Sequence, residues 1–207
     1  DFIPLLHVYA TAGGLPGDWG VEGPEYLGWL EQSPERSRTV LMGANTYRLM
    51  SGFAAAHPDD FTSLTEVPKV VFSSTLQEPL SWANSRLVDG NPVEAVRTMK
   101  RDGSRTLRTL GSLTLCRSLL AAGLADRFRV VVFPVITGVT GRERLYDGYP
   151  DVALEMAARR TFDGRLQLLH YLPTVHIGPP ASDQSGVASP TSPTREPVLQ
   201  LSPLRRT

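Results

Sequence analysis

Apolar residues along the first 172 positions occur in two patterns, which predict two kinds of element. Short apolar runs bounded by glycine or polar residues are typical of buried strands, while longer segments with helical spacing are typical of helices. The predicted strands are 2–10, 39–42, 69–72, 86–88, 106–110 and 127–136, and the predicted helices are 24–32, 44–55, 92–102 and 112–122. Because strands and helices alternate, we predict an α/β fold with a mostly parallel sheet covered on both faces.

The C-terminal part of the chain departs from this alternation. Two alternating runs within 152–172 meet at Asp163-Gly164, a dipeptide that favours a tight turn, and they predict an antiparallel hairpin. From Pro173 onward the chain has seven prolines and no aromatic residue. Such a segment buries too little apolar surface to offset the entropy of ordering. We therefore predict one folded domain over 1–172 and a Pro/Ser-rich disordered tail over 173–207.

Two predicted strand-to-helix junctions carry glycine and small polar residues. The first lies in 39–50, where Gly43 ends the strand, and the second lies in 106–123, where Gly111 and Ser112 precede the helix. The N-terminus of a helix presents free backbone N–H groups and the positive end of the helix dipole, and both favour an anion. Two such junctions in one small domain predict a ligand with two or more phosphates, such as a dinucleotide.

Composition and charge narrow the class of protein. A hydrophobic content of 41% supports a globular core, and 21 basic against 21 acidic residues give no reason to expect nucleic acid or an anionic membrane as partner. Cys116 is the only cysteine, and the four histidines lack the spacing of metal ligands, so we predict no metal site. The longest apolar run is too short to span a bilayer, and no basic segment precedes an apolar one at the N-terminus. We expect a cytoplasmic protein.

The order of these pieces resembles the dihydrofolate reductase-like superfamily and, within it, the RibD C-terminal domain of riboflavin biosynthesis. The matching stretches are MGANTY at 42–47, VVFSST at 70–75, LGSLTLCRSLLAAGLADRFRVVVFPVITG at 110–138 and RTFDGRLQLLHY at 160–171. The resemblance implies a three-layer α/β/α fold with NADPH across the carboxyl ends of about eight strands. It also implies a reductase that transfers hydride to a pterin- or pyrimidine-type ring, and a homodimer.

The resemblance also assigns candidate residues to the cofactor site. They are Thr11, Ala12, Gly43, Ala44, Asn45, Thr46, Ser73, Ser74, Thr75, Gly111, Ser112, Leu113 and Thr114. Thr11 and Ala12 would line the nicotinamide pocket, the residues of the two junctions would contact the phosphates, and 73–75 would flank the adenine ribose and its 2′-phosphate. Ordinary helix N-caps at Asn45, Thr46 or Ser112, and an ordinary serine-rich turn at 73–75, remain alternatives.

The chain departs from the family pattern at three places. Ala44 stands where the family usually has an arginine that reaches the cofactor phosphates, so a charge-assisted contact is missing. Arg48, one helical turn later, could replace it or could be a surface arginine. Ser112 stands at the second of two family glycines, and its Cβ could crowd the diphosphate. These departures leave open a deazaflavin cofactor, or a cofactor-poor or non-catalytic binding module.

The third departure is the loop at 13–20, which borders nicotinamide and substrate in the family. The family's Leu-Asp-Gly signature is replaced here, and Asp18 is the best remaining carboxylate for hydrogen bonding to the substrate or for proton relay. Glu22 and Glu25, just beyond the loop, are rivals for this role. A solvent-exposed Gly/Pro-rich loop without a catalytic role remains an equal alternative.

Overall fold

A computed structural model describes residues 20–31, 38–103, 105–135 and 146–176. Its helices are α1 Pro24–Glu31, α2 Ala44–Ala56, α3 Thr62–Glu66, α4 Pro92–Asp102 and α5 Leu113–Ala121. Its strands are β1 Arg38–Gly43, β2 Lys69–Phe72, β3 Ser85–Val88, β4 Thr106–Thr109, β5 Phe128–Val132, β6 Val152–Phe162 and β7 Leu166–Val175. The alternation of strands and helices confirms the predicted α/β class.

The parallel sheet positions the candidate site. Its strands are ordered β3-β2-β1-β4, and every neighbouring pair is parallel. Successive residues of β1 face opposite sides, so Leu41 packs with Leu119 of α5 on one face, and Met42 packs with Tyr47 of α2 on the other. Helices therefore cover both faces of this sheet, as the short apolar runs predict.

The antiparallel sheet contains the predicted hairpin. Its strands are ordered β5-β7-β6, and β6 joins β7 through Asp163, Gly164 and Arg165; the φ values of 51° and 66° at Asp163 and Gly164 suit a tight turn. Helix α1 packs on this sheet, where Tyr26, Phe162 and Leu166 are fully buried in one cluster. The turn at Asp163-Gly164 is confirmed.

One short helical region was not predicted from the pattern. A 3-10 turn at Asp59–Phe61 runs into α3, and both are too short and too exposed to give a helical period. The region is tied to the sheet by Lys69, whose Nζ donates to the carbonyl oxygens of Leu64, Thr65 and Val67 at 2.8–2.9 Å. Lys69 is 1% exposed, and burial lowers the pKa of its ammonium group to about 8.

Several predicted boundaries change or lie outside the described residues. The predicted count of eight strands is not confirmed, because the described strands form two sheets and the predicted strand 2–10 falls outside the described part. Strand β7 continues to Val175, past the predicted end of the domain at 172, and β5 ends at Val132 rather than 136. Residues 177–207 lie outside the description, so the disordered tail stays a prediction. None of the helices described is long and apolar enough to cross a membrane.

Candidate functional site

A cleft of about 610 Å³ opens where the strands of the parallel sheet end. It is lined by residues that follow β1, β2, β3 and β4, which places it at the carboxyl edge, the usual ligand site of an open α/β sheet. Among the predicted cofactor residues, those that line it are Gly43, Ala44, Asn45, Thr46, Ser73, Ser74, Ser112, Leu113 and Thr114. The structure therefore brings both predicted junctions and the 73–74 turn to one cavity.

The first junction connects β1 directly to α2. Gly43 is the N-cap residue and has an extended backbone, with φ −91° and ψ 172°, which any residue can adopt. The reason for glycine here is space, because a Cβ added to Gly43 would lie 2.9 Å from Ser112 Oγ. Asn45 and Thr46 lie within the first turn of the helix, so the alternative that either is the N-cap is wrong.

The second junction, between β4 and α5, has an unusual backbone. Gly111 and Ser112 have consecutive φ values of 57° and 59°, in the left-handed region that L side chains rarely adopt. Ser112 is the N-cap residue of α5, but its side chain makes no capping hydrogen bond to that helix. Its Oγ accepts instead from the Gly43 N–H at 2.7 Å and shares a hydrogen bond with Thr46 Oγ1 at 2.9 Å.

The two junctions therefore touch, and their helix ends share the cleft. Neither N-cap residue caps its helix through a side chain, and the first turns of α2 and α5 both line the cavity. Uncapped N-terminal N–H groups, together with the positive ends of two helix dipoles, are suited to a phosphate or diphosphate.

A third junction, which the sequence analysis missed, closes the cleft on the side of β3. Between β3 and α4, the residues that line the cleft are Asp89, Gly90 and Pro92. Other lining residues that were not predicted are Phe72, Leu115 and Ser118. The α4 helix end differs from the other two, since Asn91 Oδ1 accepts from the Val93 N–H at 2.9 Å and caps it. The signal was a strand followed by Asp-Gly-Asn-Pro, the same strand–polar turn–helix order as at the other junctions.

The turn after β2 combines a structural role with a place at the cleft. Ser73 Oγ accepts from the backbone N–H groups of Thr75 and Leu76, each at 3.0 Å, so its hydroxyl closes the turn, as the serine-turn alternative states. Ser74 lines the cleft and is exposed. Thr75 does not line the cleft, but its Oγ1 accepts from Arg48 Nη2 at 3.2 Å.

The charge of the cleft follows from Ala44, Asp89 and Arg48. Among the described lining residues Asp89 is the only charged one, and Ala44 brings no cation to the first turn of α2. Arg48 stands at the rim, where its guanidinium group donates to Thr75 and, at 3.4 Å, to Oδ1 of the lining residue Asn45. Arg48 is therefore a cation beside the cleft, in an exposed position.

Cys116 lies in the core next to the second junction and forms a hydrogen bond with it. The buried thiol donates towards the Gly111 carbonyl oxygen at 3.3 Å and towards Thr109 Oγ1 at 3.5 Å. Burial raises its pKa to about 11, so it is a protonated core residue rather than a nucleophile. Within the part of the chain that the structure describes, no group of His, Cys, Asp and Glu could hold a metal ion.

The three carboxylates predicted as candidates for catalysis differ in where they lie. Asp18 lies outside the described residues, as do Thr11 and Ala12 of the predicted nicotinamide pocket. Glu25 is engaged in a reciprocal cap of α1: its carboxylate accepts from the Asp163 N–H at 2.8 Å, and the Asp163 carboxylate accepts from the N–H groups of Glu25 and Tyr26. Glu22 and Glu25, the two rivals of Asp18, do not line the cleft. Gly111 shapes the second junction without lining the cleft.

Comparison with known proteins places this cleft in a family context. Solved structures with a similar fold include a putative riboflavin biosynthesis protein from Shewanella sp. PV-4, with a TM-score of 0.61, 19% identity and coverage of 84% of this chain and 97% of that chain. A pyrimidine reductase-like protein from Corynebacterium diphtheriae has a TM-score of 0.56, 12% identity and coverage of 84% and 91%. At these identities the likeness shows the fold.

Sequence comparison extends this finding. The uncharacterized protein YyaP of Bacillus subtilis (strain 168) is 25% identical over 163 residues, which are 74% of this chain and 83% of that protein. Residues 9–168 match the RibD C-terminal domain family over most of the chain. The chain belongs to the RibD C-terminal domain family.

Proposed function

We propose that the chain is an NADPH-dependent reductase that transfers hydride to a pterin- or pyrimidine-type small molecule, similar to the pyrimidine reductase of riboflavin biosynthesis or to dihydrofolate reductase. The observation that carries the proposal is the meeting of two helix N-termini, neither capped by the side chain of its own N-cap residue, in one cleft at the carboxyl edge of the parallel sheet. This arrangement suits a dinucleotide, because its diphosphate carries charge that backbone N–H groups and helix dipoles can balance without a metal.

The residues of the cleft fit the parts of the cofactor unequally. The first turns of α2 and α5 would hold the diphosphate, and Thr46 and Thr114, which belong to those turns and line the cleft, would contribute their hydroxyls. Ser74 and Arg48, on the side of β2, would face the 2′-phosphate that distinguishes NADPH from NADH. The lining residues fit the diphosphate well. They fit the 2′-phosphate less well, because Ala44 provides no positive charge.

The chemistry asks little covalent work of the protein. NADPH supplies the hydride when it is bound, and the chain has to orient the ring of the acceptor, exclude water and deliver a proton. Asp18 is our proposed proton donor or relay, since the family's loop at this position borders the substrate. Thr11 and Ala12 are proposed to line the nicotinamide pocket.

A cofactor-poor binding module is the second candidate function. Three observations favour it: the Gly43 N–H is already occupied by Ser112, Ala44 replaces a cation, and Asp89 places a negative charge at the cleft. Such a protein would take an uncharged or singly phosphorylated ligand in the same cavity and would not oxidise a nicotinamide.

A titration separates the two functions. We expect NADPH fluorescence to change saturably on addition of the protein, and expect the reduced nicotinamide absorbance to fall when a pyrimidine or pterin acceptor is added. Absence of binding by both NADPH and NADH at millimolar concentration would reject the reductase and favour the module. Asp18→Asn should lower turnover with little change in cofactor affinity, and unaltered turnover would remove Asp18 from the mechanism.

The proposal includes a homodimer, as in other members of the family. The apolar run that begins at Val130 does not by itself argue for it, because Val130 and Val131 are buried within the chain. Sedimentation equilibrium of the full chain decides the point: a mass of one protomer across the accessible concentration range would reject the dimer.

A further inference from the structure

The backbone N–H of Gly43 lies at the N-terminus of α2, but another group of the protein already uses it. It donates to Ser112 Oγ at 2.7 Å, and the same oxygen lies 2.9 Å from Thr46 Oγ1. One side-chain oxygen thus occupies two polar groups that a phosphate oxygen would contact. We infer that Ser112 is a built-in competitor for the diphosphate and sets the cofactor affinity of the cleft; this inference rests on the proposed function.

Ser112 has a backbone conformation that serine rarely adopts. Its φ of 59° and ψ of 71° lie in the left-handed region, which glycine adopts freely and a residue with a Cβ adopts at a cost. Gly111, immediately before it, has the same sign of φ. A glycine at position 112 would keep the turn and remove the competing oxygen, so the side chain is not needed to form the junction.

The competition follows from the chemistry of the two acceptors. An anionic phosphate oxygen is a stronger acceptor than a hydroxyl, so it can displace Ser112 Oγ from the Gly43 N–H. The displaced hydroxyl must leave the Gly43 N–H and Thr46 Oγ1, and this loss subtracts from the gain on binding. A ligand with a diphosphate therefore binds this cleft more weakly than it would if the Gly43 N–H were free.

Two substitutions separate the hydroxyl from the backbone. Ser112→Ala removes the oxygen and keeps the Cβ, while Ser112→Gly removes both and relieves the left-handed conformation. We expect the Kd for NADPH to fall several-fold in Ser112→Ala and about tenfold in Ser112→Gly, which corresponds to about 1.4 kcal/mol. Ser51→Ala is the matched control, since Ser51 lies on α2, donates to the Arg48 carbonyl oxygen and does not line the cleft. Its Kd should not change.

Two further readouts separate this inference from the proposed function. In the ligand-free protein, amide hydrogen exchange at Gly43 should be faster in both Ser112 variants than in wild type, because the N–H loses its acceptor. Inorganic diphosphate, measured by calorimetry, should follow the same order of affinity as NADPH. If no variant binds NADPH or NADH while diphosphate binding tightens in this order, the reductase is rejected and the competition by Ser112 stands.

The opposite result is equally clear. If both Ser112 variants bind NADPH and diphosphate no more tightly than wild type, or if Gly43 exchange is unchanged, the inference is overturned even when NADPH is bound and oxidised. Weaker binding in Ser112→Ala would mean that the hydroxyl donates to the ligand instead of competing with it.

Discussion

The two strand-to-helix junctions of the cleft are alike in sequence and different in physical design. Gly43 has an extended backbone, and only the closeness of Ser112 Oγ excludes a side chain there. Gly111 has a φ of 57°, so the conformation itself requires glycine or imposes strain. Glycine is therefore required by the lack of space at the first junction and by the backbone conformation at the second. Substitutions at the two positions distinguish these two reasons.

The two junctions also differ in what lies beneath them. The second rests on the buried thiol of Cys116, which contacts the Gly111 carbonyl oxygen. The first is anchored by Tyr47, whose hydroxyl accepts from the Trp82 N–H at 3.0 Å and meets Ser81 Oγ at 3.3 Å. A buried thiol supports the second junction and a tyrosine hydroxyl supports the first.

The largest expected effect comes from Cys116. Burial raises the pKa of the folded thiol from 9.0 to about 11, so the folded state keeps a proton that the unfolded chain loses. This contribution to stability is fully present below pH 9 and is lost as pH rises to 11. We expect the loss to be about 2–3 kcal/mol of unfolding free energy, measured by denaturant unfolding between pH 8 and 11.

The control is the same series of denaturant unfolding measurements between pH 8 and 11 in Cys116→Ala. The contribution of the thiol is the difference between the unfolding free energies of the two proteins at each pH. Lys69 has its pKa lowered to about 8, so its unfolded state binds the extra proton and its contribution has the opposite sign over the same range. Subtracting the Cys116→Ala curve removes the Lys69 term. Parallel curves for the two proteins would show that the thiol does not stabilise the second junction through its proton.

The next effect tests the backbone of the second junction. In Gly111→Ala the alanine must adopt the positive φ of Gly111, and its Cβ would lie 3.1 Å from Thr46 Oγ1. We expect a loss of about 2 kcal/mol in unfolding free energy. Gly164→Ala is the matched control, because Gly164 has a φ of 66°, in the same left-handed region as Gly111, but no atom within 4 Å of the added Cβ. An equal loss in both variants would assign the whole cost to φ and none to the contact with Thr46.

A smaller effect tests the contact between the junctions. A Cβ in Gly43→Ala would lie 2.9 Å from Ser112 Oγ, so the hydroxyl must shift and the hydrogen bond to the Gly43 N–H weakens. We expect a cost of about 1 kcal/mol in wild type. In the Ser112→Gly background the same substitution should be neutral, because the clashing oxygen is gone. A double-mutant cycle with no coupling energy would contradict the structural contact.

Local signals in the sequence were enough to predict most elements of the fold. Strand β2 has the predicted bounds 69–72, and α4 has the predicted bounds 92–102, because an apolar run and a Pro–helix start are local features. The hairpin turn at Asp163-Gly164 is equally local. The cavity could also be predicted in outline, since parallel strands bring their carboxyl ends together whatever the details of the side chains.

The interactions that define the site are not local, and this is why sequence reasoning missed them. The Gly43–Ser112 hydrogen bond joins residues separated by 69 positions, and the reciprocal cap between Glu25 and Asp163 spans 138. The sequence alone predicts Ser112 as an N-cap or as a side chain that crowds the diphosphate, yet its hydroxyl forms a hydrogen bond with the other junction. No periodicity carries such information, because it depends on the register of two distant strands.

The smallest expected effect tests the charge of the first junction. Ala44→Arg restores a cation in the first turn of α2, at the cleft, and should tighten NADPH more than NADH, because only NADPH has the additional phosphate. We expect the ratio of the two Kd values to change about threefold, since the contact is solvent-exposed at the rim. Leu49→Arg is the matched control: Leu49 is 54% exposed on the same helix and does not line the cleft, so it adds the same charge outside the cavity. Equal shifts for both cofactors, or equal shifts in both variants, would mean that the 2′-phosphate does not lie beside the first turn of α2.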